Sequence, residues 1–311
     1  TRGFAYDSRL VWHPAMLSPT PMTFKTNLPA ASCPALPGFG VMAVSGPDAG
    51  KFLQAQLMSD VAALAPGQWH WSGWLTPKGR VVALMAVARL ADDRFLLLVP
   101  DHPVASLKAA LQRFVFRSKL VLDDATGWVA AAGPHHATPA PDRFDGGPTP
   151  PLALDLGDPA NPRTLWLLPE SDPALAPADP ALEQQWLATD LAYGLPRLPE
   201  SQREAWTPQM LSLGRLAAFS LRKGCYPGQE IVARTHYLGQ AKRELVRILG
   251  DALAPGQSVK AGEAAVGTVV CATADGREGL AVFTSGEHAA LAVDGRPCQL
   301  AGLNEGLARQ P

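Results

Sequence analysis

One stretch of this chain, residues 223–230, combines more reactive side-chain types than any other. It reads Lys-Gly-Cys-Tyr-Pro-Gly-Gln-Glu, so a thiol, a cation, a carboxylate and an amide lie within eight residues. A neighbouring cation favours the reactive thiolate form of a cysteine that is open to solvent. Glycine permits backbone angles that a side chain would block, and proline fixes its own φ. We therefore interpret the stretch as a shaped loop that presents Cys225 and Tyr226; the alternative is a tight turn around a small buried cysteine.

Cations are concentrated around this motif. The net charge of the chain is −1, yet residues 222–247 contain six cations and two carboxylates. The cations are Arg222, Lys223, Arg234, Lys242, Arg243 and Arg247. A solvated face is the common explanation of such a run. Because the cations flank the cysteine, we favour a local site for an anionic ligand.

Apolar spacing predicts the elements that carry the motif. A strand at 41–44 leads into a helix with apolar residues every three or four positions from Phe52 to Val61. Asp60 would then lie at the negative end of the helix dipole, where a carboxylate is unfavourable unless another group holds it. A tryptophan-rich strand, a basic turn at 78–80 and a hairpin are predicted to follow.

Two more helices, followed by a change to short and evenly spaced strands, complete the prediction. Pro103 is expected to start a helix that includes Phe114, and a further helix is expected over 180–193. After residue 243, short strands alternate evenly with Gly, Pro and Asp, which is typical of a small antiparallel barrel. The segment 134–151 is predicted to be a loop, and the adjacent His135 and His136 to lie on its surface rather than to bind a metal.

Composition bounds the class of protein. A chain of 311 residues suggests two or three domains, and 47% hydrophobic with 18% charged residues fits a folded protein. The net charge excludes a strongly basic nucleic-acid-binding surface over the whole molecule. The four cysteines form no Cys-x-x-Cys pair, which argues against a zinc ribbon and suits a reducing cytosol. No apolar run approaches the ~20 residues that cross a bilayer, so a cytoplasmic location is expected.

The motif and its surroundings resemble a known family. Residues 223–230 are similar, without a gap, to the hallmark of the YgfZ-type folate-binding proteins, relatives of the T-protein (aminomethyltransferase) of the glycine cleavage system. Further similarities lie in order between residues 38 and 300, which makes the resemblance far more specific than any single one. They are the segments 45–61, 77–80, 114–120 (a helix in the family), 192–196 and 207–216.

This resemblance implies an α+β fold of three lobes arranged as a cloverleaf. Two interleaved α+β lobes that bind folate would occupy residues 38–238, and a C-terminal antiparallel β-barrel would occupy residues 239–311. Residues 1–37 lie outside the resemblance and are rich in proline, so we expect a poorly ordered extension, with Met22 as an alternative start.

The resemblance also implies a ligand and a function. The cofactor would be tetrahydrofolate or a related reduced folate. The function would be support of iron–sulfur cluster assembly or repair, and indirectly of tRNA modification, by a cytoplasmic monomer. The expected partners are folate and iron–sulfur client or assembly proteins, whereas no membrane and no direct RNA contact are expected. A module that binds RNA directly through residues 222–247 is a third hypothesis.

The candidate site residues follow from this resemblance and from residue chemistry. Cys225 is the candidate reactive thiol, Lys223 would favour its thiolate form, and Glu230 would orient it. The candidate folate contacts are Asp60, Lys78, Arg80, Arg117, Gln209, Tyr226, Gly228, Gln229 and Arg234. A plain hairpin turn at 78–80 and a snorkelling Arg117 remain the alternatives for two of these positions. Trp69, Trp71 and Trp74 could stack on a pterin, but we favour core packing for most of them.

A departure from the T-protein leaves open whether this protein is an enzyme. The T-protein hairpin carries an acidic pair, whereas residues 81–86 here contain no acid, and Ala192 stands where the T-protein has a pterin-binding glutamate. Loss of a carboxylate removes hydrogen-bond acceptance and charge stabilisation. We therefore expect folate binding without aminomethyl transfer. The alternative is a folate-dependent aminomethyl or one-carbon transferase of the T-protein type, with Asp60 or Glu230 as its acid or base.

Overall fold

The computed structural model describes residues 32–238, 243–284, 286 and 290–309. The helices of this part are α1 (Ala49–Gln56), α2 (Val104–Gln112), α3 (Pro180–Ala192) and α4 (Gln229–Leu238). The first strands are β1 (Cys33–Pro34), β2 (Phe39–Ser45), β3 (Trp69–Leu75), β4 (Val81–Ala91), β5 (Arg94–Pro100) and β6 (Val121–Asp123). They are followed by β7 (Trp128–Gly133), β8 (Asp145–Gly146), β9 (Leu152–Asp155), β10 (Thr164–Pro169) and β11 (Leu175–Ala176). The last strands are β12 (Arg243–Leu249), β13 (Ser258–Ala261), β14 (Ala264–Ala272), β15 (Glu278–Thr284), β16 (Leu291–Val293), β17 (Arg296–Pro297) and β18 (Gln299–Ala301).

The first lobe is a five-stranded antiparallel sheet in the order β3-β4-β5-β2-β6. Its strands are nearly continuous apolar runs because both faces are covered. One face packs against α1 and α2, and the other face, with Trp69 and Trp71, enters the main core of the molecule. The predicted tryptophan-rich strand and hairpin are confirmed, and both tryptophans are core residues.

The second lobe is a four-stranded antiparallel sheet in the order β7-β10-β9-β8. β1 precedes the first lobe in the chain, yet it pairs in parallel with β11, through Cys33 and Leu175. Ala35 also forms a bridge to Ala131 of β7, so the chain begins on the second lobe before it builds the first. The two lobes are therefore interleaved, as predicted.

The predicted disordered extension needs a correction at its end. Residues 32–37 are packed, since Cys33 and Leu36 are buried and Leu36 N donates to Ala130 O at 2.8 Å. β1 supplies the pairing that a proline-rich composition did not reveal. The rest of the extension, residues 1–31, lies outside the described residues.

The C-terminal region forms a barrel-like, seven-stranded antiparallel sheet in the order β17-β16-β13-β14-β15-β12-β18. Alternating residues such as Val259, Val269 and Phe283 fill a core of its own. The predicted antiparallel barrel is confirmed. The boundary predicted at residue 239 stays a prediction, because residues 239–242 lie outside the described part of the chain.

Beyond β18 the chain leaves the barrel and returns to the first two lobes as a strap, residues 302–309. Leu307 is buried, and its carbonyl oxygen accepts a hydrogen bond from Trp71 Nε1 at 3.0 Å. Arg309 is fully buried, with its guanidinium over the Trp69 ring and its Nη2 donating to the carbonyl oxygens of Asp155 and Gly157. The strap thus joins the barrel to both sheets.

Two predicted helices are shorter than expected. α1 ends at Gln56, because Leu57 forms a bridge to Trp74 and Met58 N donates to Gly73 O, which draws the chain onto β3. α2 ends at Gln112, so the predicted helix over 114–120 is wrong. There Asp48 Oδ2 accepts a hydrogen bond from the backbone N–H of Lys119 at 2.7 Å and holds the segment at the start of α1. The predicted helix at 180–193 is confirmed as α3, with the Asp179 side chain as its N-cap.

Candidate functional site

The predicted reactive stretch, residues 223–230, lies at the entry to α4, and we call it the cysteine loop. The Cys225 side chain is exposed, as the interpretation of a presented thiol requires. Tyr226 points the other way: its ring is part of the main core, and its hydroxyl donates to Ser220 O at 3.3 Å. Burial raises the pKa of Tyr226 to about 12. The prediction that Tyr226 is presented to a ligand is therefore wrong, because the loop needs an apolar anchor opposite its exposed thiol.

Lys223 fixes the cysteine loop to the end of α1. Its ammonium group is buried and donates to three carbonyl oxygens, those of Gln54, Leu57 and Ser59. It also lies 5.0 Å from the centre of the Tyr226 ring. Cations are favoured at the C-terminal end of a helix, where carbonyl groups lack partners. Burial lowers the pKa of Lys223 to about 8, and the charge of Asp60 opposes this shift. This anchoring role was missed by the sequence reasoning; the effect of Lys223 on the thiol stays a prediction.

The basic turn at 78–80 packs directly against the cysteine loop. Gly79 and Gly228 both have positive φ, of 69° and 77°, and a Cβ on Gly228 would lie 2.6 Å from Gly79 Cα. Only glycine permits this approach of two backbones. Arg80 Nη1 donates to Ala205 O at 2.7 Å, whereas Lys78 is exposed. The turn and the cysteine loop, which lie about 150 residues apart in the sequence, are thus in contact.

The side chains of the two glutamines of the predicted site donate hydrogen bonds to backbone carbonyl groups rather than facing open solvent. Gln209 Nε2 donates to Val232 O at 2.8 Å, and Gln229 Nε2 donates to Lys223 O at 3.3 Å. Gln209 Oε1 is buried and has no partner within the described residues. Glu230 and Arg234 are exposed on α4, where Glu230 in the first turn suits the positive end of the helix dipole.

Asp60 does not end a helix, which corrects the dipole argument. It precedes a short 3-10 turn at Val61–Ala63, and its Oδ1 accepts from Gln54 Nε2 at 2.9 Å. Nearby, His70 Nε2 lies 2.8 Å from Ser59 Oγ, which in turn donates to Ser72 Oγ at 2.6 Å. Burial lowers the pKa of His70 to about 4; Asp60 opposes this shift and Lys223 adds to it. Because Ser59 O also accepts a hydrogen bond from Lys223, this buried polar cluster supports the anchor of the cysteine loop.

Arg117 lies on the irregular segment after α2 and is exposed. The sequence placed it on a helix next to a folate pocket, and that placement on a helix is wrong for the reason given above. His136, from the predicted surface loop, contacts Asp145 Oδ2 at 2.6 Å. Among the described residues no group of three His, Cys, Asp or Glu side chains could hold a metal ion. No described helix has both the length and the apolar character to span a membrane.

A cavity of about 400 Å³ lies where the two lobes and the barrel meet, and we call it the Gly38 cavity. A Cβ on Gly38 would lie 3.4 Å from Arg197 Nη1, 3.5 Å from Asp101 Oδ1 and 3.7 Å from Glu183 Oε1. The missing side chain thus leaves a space towards which three charged groups converge. The apolar part of the lining includes Leu36, Phe39, Trp186, Leu187, Pro199 and Pro255.

A buried ion network sets the charge of this cavity. Asp190 is fully buried and pairs with Arg163 at 2.6 Å and with Arg197 at 2.8 Å. Arg197 also pairs with Asp101 at 3.0 Å and covers the Phe39 ring at 4.5 Å. Of the charged groups that line the cavity itself, Arg197 is one cation against the two carboxylates Asp101 and Glu183, so the cavity can still accept hydrogen bonds from a ligand. Trp186 Nε1 is buried and has no partner in the described part of the chain.

None of the Gly38 cavity residues was among the predicted site residues. Arg197 directly follows the Gly-x-Pro turn at 194–196, which was the one signal that could have found it. Asp101 has a φ of 56°, a left-handed conformation that is uncommon outside glycine and occurs often at functional sites. The sequence does not reveal such a conformation.

Comparisons with known proteins agree with this architecture. The family model of the GCVT N-terminal domain matches residues 36–137. An uncharacterized protein of Haemophilus influenzae is 31% identical over 67% of this chain and 69% of its own length. The tRNA-modifying protein YgfZ of Sodalis glossinidius is 30% identical over 77% of this chain and 79% of its own length. The crystal structure of glycine cleavage system aminomethyltransferase T from Bartonella henselae matches with a TM-score of 0.69 and 17% identity, over 90% of this chain and 88% of that one.

Proposed function

Because the chain belongs to the YgfZ family of T-protein relatives, we propose that it binds tetrahydrofolate or a related reduced folate in the Gly38 cavity. We further propose that it supports iron–sulfur cluster assembly or repair in the cytoplasm, and thereby tRNA modification, through the exposed thiol of Cys225. The observation that supports folate as the ligand is the convergence of Asp101, Glu183 and Arg197 on the space beside Gly38.

The chemistry of the cavity suits a pterin ring. A pterin presents an N–H and an amino group side by side, and a carboxylate accepts two such parallel donors well. Asp101 and Glu183 offer carboxylate oxygens beside Gly38 for these donors. Phe39 and Trp186 supply flat apolar walls. A volume of about 400 Å³ falls within the range of small-molecule sites.

The cavity and the thiol have separate roles in this proposal. Asp60, Lys78, Gln209 and Gln229 surround or support the cysteine loop, and none of them lines the Gly38 cavity. The folate-contact role first predicted for them stays a prediction, whereas the present proposal places folate among the residues that line that cavity. Arg80 and Arg117 likewise lie outside its lining.

Substitution of Gly38 tests the ligand part. Reduced folate should raise the melting temperature of the wild-type protein, since a ligand at 100 times its Kd stabilises by about 2.7 kcal/mol. Gly38→Leu fills the space beside the carboxylates and should weaken folate binding about tenfold or more, measured by thermal shift over a range of 5-formyltetrahydrofolate concentrations. Gly127→Leu is the matched control, because a Cβ there meets nothing within 4 Å. Wild-type binding by Gly38→Leu would assign folate to another site, and no shift in the wild-type protein would remove folate altogether.

Substitution of Cys225 tests the thiol part. Cys33, Cys271 and Cys298 are buried, and burial raises the pKa of Cys271 to about 12, so a thiol reagent should titrate one cysteine rapidly in the native protein. Cys225→Ala should remove this fast phase and keep the stabilisation by folate. In cells that lack the wild-type protein it should fail to restore iron–sulfur enzyme activity under oxidative stress. Full restoration would exclude the thiol from the mechanism.

The alternative, a one-carbon transferase of the T-protein type, is separated from this proposal by turnover. Steady product formation from tetrahydrofolate and a methylamine-type donor would favour the enzyme, with Asp101 or Glu183 as the nearest carboxylates. The T-protein acidic pair has no counterpart in β4, whose residues 81–87 are apolar. We therefore expect binding without turnover.

A further inference from the structure

Residues 113–119 form an unusual exposed segment. They read Arg-Phe-Val-Phe-Arg-Ser-Lys and follow the end of α2 without regular structure. Phe116 is 93% exposed and Phe114 is 43% exposed. A large aromatic side chain in open solvent gains nothing for folding, and clusters of such side chains mark interaction sites.

The cations of this segment are unpaired with any carboxylate that the structure describes. Arg113, Arg117 and Lys119 are exposed, and none of them forms an ion pair with a carboxylate in the described part of the chain. Asp48 accepts a hydrogen bond from the backbone N–H of Lys119 rather than from its ammonium group. The segment therefore presents three uncompensated positive charges that alternate with aromatic rings.

Contacts connect this segment to the cysteine loop. Phe114 packs edge-on against Trp74, with ring centres 6.1 Å apart. Trp74 bridges to Leu57, whose carbonyl oxygen accepts from Lys223. The segment and the loop thus flank the same end of the β3–β4 hairpin.

The turn at that hairpin end carries similar chemistry. The turn with the exposed Lys78 contacts Gly228 and Ile231, and α4 continues with the exposed Arg234 and with Tyr237, which is 69% exposed. Arg222 is exposed beside the loop. We call the combined surface the aromatic–basic face: Lys78, residues 113–119, Arg222, Cys225, Arg234 and Tyr237. Glu230 is an exposed acid next to it, against six exposed cations.

We propose that the aromatic–basic face binds single-stranded RNA. Bases stack on Phe116 and Tyr237, phosphates pair with the flanking cations, and the strand passes over Cys225. Isolated aromatic rings between separated cations match a chain in which bases and phosphates alternate. A membrane surface would instead favour a contiguous apolar patch. RNA supplies unpaired loops whose bases can leave their stack, whereas cellular DNA is mostly paired. The near-neutral net charge of the chain excludes a wholly basic molecule, not this local surface.

The inference is independent of folate binding and has its own test. Fluorescence anisotropy with the full chain and a labelled, unstructured RNA of about 12 nucleotides measures the affinity over a range of salt concentrations. Phe116→Ala should weaken binding about tenfold, because one stacked base is lost. Arg117→Gln should make the log–log salt slope smaller by about 0.7, the value for one phosphate contact on a single strand.

Matched controls lie in the barrel. Leu300→Ala removes another exposed apolar side chain and Lys260→Gln another exposed cation, and both should bind RNA as the wild-type protein does. Folate thermal shifts of Phe116→Ala should equal those of the wild type, which keeps the two proposals distinguishable. The assignment would be overturned if the wild-type protein bound duplex RNA of the same length as tightly as single-stranded RNA, or bound no RNA at low salt. It would also be overturned if Phe116→Ala lost binding to phosphatidylserine vesicles but kept its affinity for RNA.

Discussion

Lys223→Met should lower the free energy of unfolding by about 3 kcal/mol or more, the size expected when buried polar groups lose their partner. The methionine fills a similar volume but donates nothing, so the carbonyl oxygens of Gln54, Leu57 and Ser59 lose the ammonium group that satisfies them. The cysteine loop also loses its attachment to α1. Denaturant unfolding followed by far-UV circular dichroism measures the change.

The control for this substitution is Lys78→Met, on the exposed turn beside the same loop. A surface lysine without a partner should change the free energy of unfolding by no more than about 0.5 kcal/mol. If both variants lost equal stability, the three carbonyl contacts would not be the source of the effect. A Lys223→Met protein as stable as the wild type would contradict the anchoring role directly.

The second large effect is a loss of stability in mild acid, caused by His70. Burial lowers the pKa of His70 from 6.5 to about 4 in the folded protein. Between these values the unfolded state binds a proton that the folded state does not, so stability falls as the pH drops from about 6.5 to about 4. At about 1.4 kcal/mol per pKa unit, the full loss is about 3 kcal/mol. Urea unfolding at a series of pH values in this window measures it.

His70→Gln isolates the contribution of this histidine. The variant cannot take up the proton, so its stability should fall less steeply between pH 6.5 and 4 than that of the wild-type protein. His102→Gln serves as the control. Burial also lowers the pKa of His102, but less than that of His70, so this variant should change the pH dependence of stability less than His70→Gln does. Identical pH dependence of the wild type and His70→Gln would place the titrating group elsewhere.

Much of the fold could be predicted because its strands and helices carry local signals. The apolar runs of β3–β5, the Asp179 cap and Pro180 at the start of α3, and the evenly spaced barrel strands are all visible in the sequence. The errors arise where tertiary contacts override such signals. Apolar spacing continues past Gln56, where the bridge of Leu57 to Trp74 ends the helix, and past Gln112, where the contact of Asp48 with Lys119 holds the later residues outside a helix.

The candidate site divides in the same way. The cysteine loop was recognisable because its chemistry lies in eight consecutive residues. The Gly38 cavity was not, because its residues come from β-strand ends, α3 and the barrel, and each is ordinary in its own segment. A glycine next to a strand gives no sign that two carboxylates and a guanidinium converge beside it. Lys223 was assigned to the thiol because they are neighbours in sequence, whereas its partners lie more than 160 residues away.

The strap, residues 302–309, has a consequence for how the molecule unfolds. Burial lowers the pKa of Arg309 and thus opposes its charge, which Trp69 and the carbonyl oxygens of Asp155 and Gly157 stabilise in place. Withdrawal of residues 302–309 would open the main core at Leu307 and strip these groups at once. We therefore expect the barrel and the two lobes to unfold in a single transition, since the strap contacts would have to break before either part could separate from the other.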